Sequence, residues 1–339
     1  MVGIYRATQT EIEAAVELLR AGELVAFPTE TVYGLGANAS NPSAVRKIFE
    51  VKGRPASHPV IVHIDSARYL HRWVSEVPPA AQQLAERFWP GPLTLVMPRG
   101  PNVHDVVTGG QATIAIRVPA HPMAQQLLTA FGGGIAAPSA NRYGRLSPTR
   151  PEHVREELGA AVKLVLDGGE CTIGLESTIV ACLDGRVRLL RPGSVTLAQI
   201  RGLVGEVDVG PAADSSRVPG STPAHYAPLT PLEIVPIEVL EDTVANLASQ
   251  GLKAAVLAMR PPLRAHRNAT WINAGKKVET YAHNLYAHLR TLDKIGASRI
   301  LVQQPPADDR WEAVRDRLTR AAASSITAPP EDGTGGVLP

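Results

Sequence analysis

Cysteine is nearly absent. Cys171 and Cys182 are the only two in 339 residues, and they form neither a CxxC pair nor a zinc-ligand spacing. That excludes a disulfide-stapled scaffold and a cysteine-built metal site. Aromatic residues make up 4% of the chain, and no apolar run reaches the length of a membrane-spanning helix. The early residues carry Glu11 and Glu13 and no apolar signal-peptide core. An excess of one charge is missing too: 34 Lys and Arg against 32 Asp and Glu leave +2. So weak a net charge makes no strong field toward polyanions, and nucleic-acid contact would need a local patch. There is no GxxxxGK[ST] loop, no GxGxxG fingerprint and no cluster of metal ligands. The expectation is a soluble cytoplasmic protein with reduced thiols and no membrane partner.

What is present suffices for real cores: 44% hydrophobic residues, in a length that suits two domains. The most informative stretch is residues 24–39, LVAFPTETVYGLGANA. Its first four residues suit a buried strand, and Pro28, which cannot donate to a ladder, ends it. Thr29, Glu30 and Thr31 follow at once. Gly34 and Gly36 free the backbone to take positive φ or to approach a ligand closely. Such a strand end is either a ligand-binding corner of an α/β protein or an ordinary strand-to-helix connection.

Apolar spacing and punctuation place the other elements. A capping box, Thr10-x-x-Glu13, opens a helix with Ile12, Ala15, Val16 and Leu19 on one face. Asn41-Pro42 starts a second helix, closed by Gly53 between Lys52 and Arg54; these cations either complement the helix C-terminus or face an anion. Strands are predicted at 59–64, 93–97, 113–118, from 135, and at 162–166, 179–183 and 186–190. The last two are joined by an Asp184-Gly185 hairpin. Helices are predicted at 79–89, 122–131, 150–158 and 196–204. His63 has the ordinary reading of a packed imidazole beside a functional one. Thr113, Ala115 and Arg117 project from one strand face, where a guanidinium wants an anion or a solvated edge. Ser139, Asn141, Ser147 and Thr149 precede a helix, as anion-binding groups or as plain capping chemistry.

Residues 209–231 are rich in Pro, Gly, Ser and Ala and read as a linker, interrupted by His225-Tyr226-Ala227-Pro228. Beyond it, strands at 232–236, 254–259 and 299–303 alternate with helices near 238–250, 280–296 and 310–323. That pattern predicts a small α/β domain with a parallel sheet, and no catalytic cluster is visible in it. The expected limits are 1–205 for the first domain, 206–231 for the linker, 232–328 for the second domain and 329–339 for a tail.

Seven motifs in order, FPTETVYGLGANA, KGRP with PVIVHI, WPGPLTL, TIAIRVP, APSAN, SPT and ESTIV, closely resemble the YrdC family over roughly residues 12–193. The linker and extra domain resemble the family's long members, the L-threonylcarbamoyladenylate synthases. The resemblance implies an α/β fold of YrdC type: a twisted mixed sheet with helices around a concave cavity, plus a smaller C-terminal Rossmann-like α/β domain. It implies a nucleotidyltransferase that makes threonylcarbamoyl-AMP and pyrophosphate from L-threonine, bicarbonate and ATP, with Mg2+ on the phosphates. The product would pass to the tRNA threonylcarbamoyl transferase machinery, with at most weak tRNA contact. Carried over by position, Thr31, His63, Thr113, Arg117 and Ser177 match threonine-binding residues. Arg54, His58, Ser139, Asn141, Ser147, Arg191 and Tyr226 match nucleotide-binding residues, Tyr226 helping to close the site. Lys52 and Arg54 are the expected catalytic cations, and no metal ligand is expected.

The chemistry fits these residue types. A carbamate oxygen attacking the α-phosphate crowds the site with negative charge, so fixed cations and N–H donors should outweigh any covalent nucleophile. Arg117 can fork onto a carboxylate. Three positions depart from the family: His58 stands where Asn is usual, Ala181 follows ESTIV where Asp is usual, and Ser221 to Ala224 replace a Lys-Tyr segment. The alternatives are a carbamoyltransferase relative that uses carbamoyl phosphate and a non-catalytic RNA-binding module.

Overall fold

Ile12, Ala15, Val16 and Leu19 recur at helical spacing and are all buried on α1 (Gln9–Arg20). The computed structural model, which describes residues 8–210 and 225–327, caps this helix at Thr8, two residues before the expected cap. Thr8 Oγ1 accepts from the Glu11 N–H at 3.2 Å, and the Thr8 N–H donates to the Glu11 carboxylate at 2.8 Å. The T-x-x-E pattern occurs twice, and the earlier box wins because it adds helical hydrogen bonds without disturbing the buried face. Thr10 is left exposed inside the helix.

Ten short strands follow: β1 (Val25–Phe27), β2 (Gly34–Asn38), β3 (Ile61–His63), β4 (Leu93–Pro98), β5 (Thr113–Arg117), β6 (Ile135–Ala136), β7 (Leu164–Val165), β8 (Thr178–Leu183), β9 (Arg186–Arg191) and β10 (Asp208–Val209). They form one twisted mixed sheet in the order β10-β9-β8-β4-β5-β3-β6-β2-β1-β7. Between them lie α2 (Pro42–Lys52), α3 (Pro79–Phe88), the short α4 (Asp105–Thr108), α5 (Pro122–Phe131), α6 (Pro151–Leu158) and α7 (Leu197–Val204). One sheet face, with Ala26, Leu35, Val62, Leu95, Ile116 and Val180, packs on α2, α3, α6 and α7. On the other face, α1 and α5 cover one end of the sheet, around Val25, Phe27, Ile135 and Leu164. The rest of that face, over β3, β5 and the start of β8, opens into a cavity.

Two local expectations change. The polar residues after Pro28 connect an antiparallel pair, β1 to β2, rather than a strand to a helix. Gly36 lies inside β2 and serves close packing: a Cβ there would come within 2.9 Å of both Ile135 Cγ2 and Phe27 Cε1. Asp208 and Val209, in the stretch read as linker, add an edge strand parallel to β9.

The second sheet has the order β11-β14-β12-β13, with every pair parallel: β11 (Leu232–Val235), β12 (Ala254–Ala258), β13 (Ala269–Asn273) and β14 (Arg299–Gln303). Strand β13 is not legible in the sequence because it is an edge strand whose residues are half-buried or exposed, so no apolar run marks it. Helices α8 (Ile237–Ser249), α9 (Val278–Asp293) and α10 (Glu312–Thr327) complete this unit. Helix α9 meets the first unit along one face. His283 approaches the Thr172 carbonyl (3.1 Å), Tyr286 reaches Glu176, and Arg290 donates to Glu157 (3.0 Å); just beyond the helix, Lys294 donates to Glu156 (2.9 Å). No helix among the described residues is long and apolar enough to cross a membrane. Ser221 to Ala224 and the expected tail lie outside the described residues.

Candidate active site

The parallel register His63↔Arg117 between β3 and β5 places both side chains on the cavity face. Arg117 is held from three sides. Its Nη1 donates to Thr31 Oγ1 (2.8 Å), its Nε donates to the Gly91 carbonyl (3.2 Å), and its Nη2 lies 2.7 Å from Glu30 Oε1. That last contact has no N–H aligned on the oxygen, so it acts as charge attraction rather than a hydrogen bond. Thr29 Oγ1 spends its single proton on the Val32 carbonyl (2.6 Å). Thr31 therefore donates to Thr29 (2.8 Å) and accepts from Arg117. The WPGPLTL motif thus serves Arg117 through Gly91, where a Cβ would lie 2.2 Å from the Phe88 carbonyl oxygen.

Arg191 reaches the cavity through a β-bulge. Val187 and Leu189 point into the core, so strict alternation would send Arg191 there as well. The register shift between Ile179 and Val180 instead pairs Arg191 with Ile179, on the cavity face. Its Nε and Nη2 donate to the Ser177 carbonyl (3.1 and 2.8 Å), and Nη2 also to Ser177 Oγ (3.1 Å). Ser177 Oγ is 2.7 Å from Thr94 Oγ1. Arg54, just past the left-handed Gly53 cap of α2, donates to the Pro59 carbonyl (2.8 Å), while its buried Nε has no partner among the described residues. Burial lowers its pKa to about 10, so it stays cationic at neutral pH.

Of the residues singled out from the sequence, Thr31, His63, Arg117, Ser177, Arg54, Ser139, Arg191 and Tyr226 line this one cavity. Five others stand outside its lining. Lys52 is turned away: its buried ammonium donates to the carbonyls of Ser139 (2.6 Å) and Asn141 (2.5 Å), and burial plus the Arg54 charge push its pKa well down. Asn141 donates to the Arg142 and Arg145 carbonyls, both at 2.8 Å, so it shapes its own loop. Ser147 is fully buried and donates to Glu176 Oε1 (2.5 Å). Thr113 shares a strand face with Arg117, but four extended residues separate them by about 13 Å. His58 lies edge-on to Tyr143, ring centroids 5.6 Å apart. Ala181 belongs to an apolar patch with Ile61, Val96, Ala115 and Ile179.

Several cavity groups stand in the stretches and motifs read from the sequence but were given no site role there. Thr29, Glu176 and His225 line the cavity, and Glu30 pairs with Arg117. Glu176 gathers three donors: Ser147, Tyr286 Oη (3.0 Å) and Arg317 Nε (2.7 Å), the last two from the second unit. Burial alone would raise its pKa, but Arg317 and Arg191 beside it hold it down to about 2. The signal in the sequence was faint: Arg317 sits among Val314, Leu318 and Ala321 on an otherwise apolar helical stripe.

His63 and His225 are buried, and both are lowered to about 3: burial dominates in each, Arg117 adds to it at His63, and at His225 the opposing pull of Glu176 is outweighed by burial together with Arg54 and Lys52. The unfolded chain, with histidines near 6.5, binds more protons between that value and about 3. Stability is therefore expected to fall as pH drops through this window, by up to about 1.4 kcal/mol per pH unit for each histidine. Denaturant unfolding at pH 7, 6 and 5 checks this; a flat profile would show these imidazoles to be charged or solvated in the fold.

Comparison with known proteins places this arrangement. A family model described as "Telomere recombination" matches residues 17–193, and one described as "Threonylcarbamoyl-AMP synthase, C-terminal domain" matches 195–323. Threonylcarbamoyl-AMP synthase of Pyrococcus abyssi is 40% identical over 334 residues, covering 95% of this chain and 96% of that protein. The Bacillus subtilis enzyme of the same name is 40% identical over 325 residues, covering 93% and 94%. The crystal structure of P. abyssi Sua5 complexed with L-threonine superposes with a TM-score of 0.88 at 39% identity, covering 95% of this chain and 96% of that one. With both halves matched in order, the chain belongs to the Sua5–YciO–YrdC family, in its long two-domain form.

Proposed function

We propose that this protein is an L-threonylcarbamoyladenylate synthase, a nucleotidyltransferase that forms threonylcarbamoyl-AMP and pyrophosphate from L-threonine, bicarbonate and ATP. The observation that carries this reading is the convergence of Thr31, His63, Arg117 and Ser177 with Arg54 and Arg191 on one cavity, in a chain alike end to end to threonylcarbamoyl-AMP synthases. The Arg117 guanidinium, oriented by Glu30, Thr31 and Gly91, would receive the threonine carboxylate. The amine, carboxylated by bicarbonate to a carbamate with loss of water, would attack the α-phosphate through a carbamate oxygen, the bond from the α-phosphorus to pyrophosphate breaking as the new one forms. Arg54 and Arg191 would stabilise the charge that develops, in a site where burial strengthens each interaction.

Covalent catalysis has little support here. The proton of Thr31 is committed to Thr29 and that of Ser147 to Glu176, while the buried Cys171 thiol is pushed far above its ordinary pKa by burial. Mg2+ would enter as MgATP. Among the described residues no three His, Cys, Asp or Glu side chains gather as ligands, Glu30 is engaged by Arg117, and Glu176 by its three donors. His225 and Tyr226 wall the cavity and are tied to both units, through His225 N–H to the Arg320 carbonyl (3.3 Å) and Ala227 N–H to the Gly144 carbonyl (2.8 Å). They are suited to act as a closure over the substrates. The mixed anhydride product would be handed to a transferase that modifies tRNA.

The decisive experiment is pyrophosphate release from MgATP with L-threonine and bicarbonate omitted in turn. Release is expected only when both are present. Release supported by carbamoyl phosphate without threonine would instead make this a carbamoyltransferase, and no release with tight, salt-sensitive tRNA binding would make it an RNA-binding module.

A further inference from the structure

Arg317 occupies a position on α10 where packing asks for an apolar side chain, between Val314, Leu318 and Ala321, and it is 1% exposed. A buried guanidinium is unfavourable unless its charge and donors are met. Here they are met largely by the wall of the cavity in the other unit. Nε donates to Glu176 Oε2 (2.7 Å), and Cζ lies 5.1 Å from the centre of the Tyr226 ring. Nη1 donates to the neighbouring Asp316 (2.6 Å), and Nη2 has no hydrogen-bond partner among the described residues.

Both of its wall contacts adjoin the cationic side of the cavity. Glu176 immediately precedes Ser177, whose carbonyl and hydroxyl receive Arg191. Tyr226 takes a φ of 60°, which a bulky side chain adopts only when its surroundings impose it. Those surroundings are Arg317 and the Tyr286 ring, stacked at 6.1 Å and 30°. No hydrogen bond among the described residues joins Arg317 to Thr31, His63 or Arg117, so its one link toward the threonine side is Ser177, next to Glu176, whose carbonyl and hydroxyl are taken up by Arg191.

We propose that Arg317 is a positioning residue supplied by the second domain to the nucleotide side of the site: it fixes the Glu176 carboxylate and the Tyr226 ring, and through them the presentation of Arg191 to ATP. This rests on the synthase reading and gives the C-terminal domain a defined part in it.

The test uses the full chain in three forms: wild type, Arg317→Lys, and the double variant Glu176→Gln with Arg317→Met. The lysine keeps the charge and loses the planar fork; the double variant removes both charges together and strands neither. MgATP and L-threonine binding are measured by calorimetry, the melting temperature by thermal unfolding, and KM and kcat by pyrophosphate release. Arg317→Lys is expected to weaken ATP binding and raise its KM about tenfold or more, with threonine affinity within about twofold of wild type. The double variant should regain the wild-type melting temperature without regaining ATP affinity. Recovery of both, or equal losses for threonine and ATP, would reduce Arg317 to a docking contact and overturn the proposal. Weakened ATP binding in a protein whose wild type releases no pyrophosphate would overturn the synthase reading alone. Normal ATP parameters in an active Arg317→Lys enzyme would overturn only this inference.

Discussion

Replacing Arg54 with alanine is expected to lower kcat/KM for ATP about 10²- to 10³-fold, equivalent to roughly 3–4 kcal/mol of transition-state stabilisation. The side chain lines the cavity, is 7% exposed, and keeps its Nε bare of any partner among the described residues. A cation in so little water interacts far more strongly with developing phosphate charge than a surface arginine would. Folding should be almost unaffected. The variant loses one hydrogen bond, to Pro59, but also relieves the burial that depresses the arginine. Steady-state pyrophosphate release alongside a thermal melt separates the two effects. Activity within tenfold of wild type at an unchanged melting temperature would remove Arg54 from the reaction. Arg54→Lys should fall between, since it keeps the charge and loses the planar geometry.

Lys52→Met is expected to show the opposite pattern. The ammonium satisfies the Ser139 and Asn141 carbonyls inside the fold, so removing it strands two buried acceptors and should destabilise the protein by about 2–5 kcal/mol. Ser139 lines the cavity, so its displaced loop should raise KM for ATP while kcat of the folded fraction stays within tenfold. Denaturant unfolding and kinetics on the same preparation test this. A fall in kcat as large as that of Arg54→Ala, at wild-type stability, would show the ammonium acting on substrate directly. The two cations stand two residues apart, on either side of Gly53, yet the structure gives them different work. The left-handed cap at Gly53 turns the chain between them: Lys52 ends α2 with its ammonium on the loop carbonyls, and Arg54, past the turn, lines the cavity.

Much of the first unit is legible because short-range rules suffice there. Pro42 after Asn41, the Asp184-Gly185 turn and the pattern of β5 each specify a local geometry by themselves, and each appears where expected. Legibility fails where a neighbour distant in sequence decides. Arg191 faces the cavity only because a bulge in β9 breaks its alternation. Gly36 is a glycine because the Phe27 ring lies across it. Strand β13 exists because the parallel partner β12 provides its ladder. The second half of the sequence shows no link to the site for the same reason: Tyr286 and Arg317 meet it through Glu176, more than a hundred positions away, and through Tyr226.

The sequence by itself determined which side chains could do the chemistry, since hydroxyls, guanidinium groups and glycines in ordered motifs encode donors, charges and turns wherever the chain puts them. It also determined two α/β units, through apolar periodicity that only helices and strands can bury. The tertiary structure decided which of those side chains share the cavity, which instead hold its walls, and that the second unit braces one wall from behind, at Glu176. Those outcomes depend on packing between segments far apart in the chain, where a buried charge such as Arg317 is tolerable only once Glu176 has been brought against it.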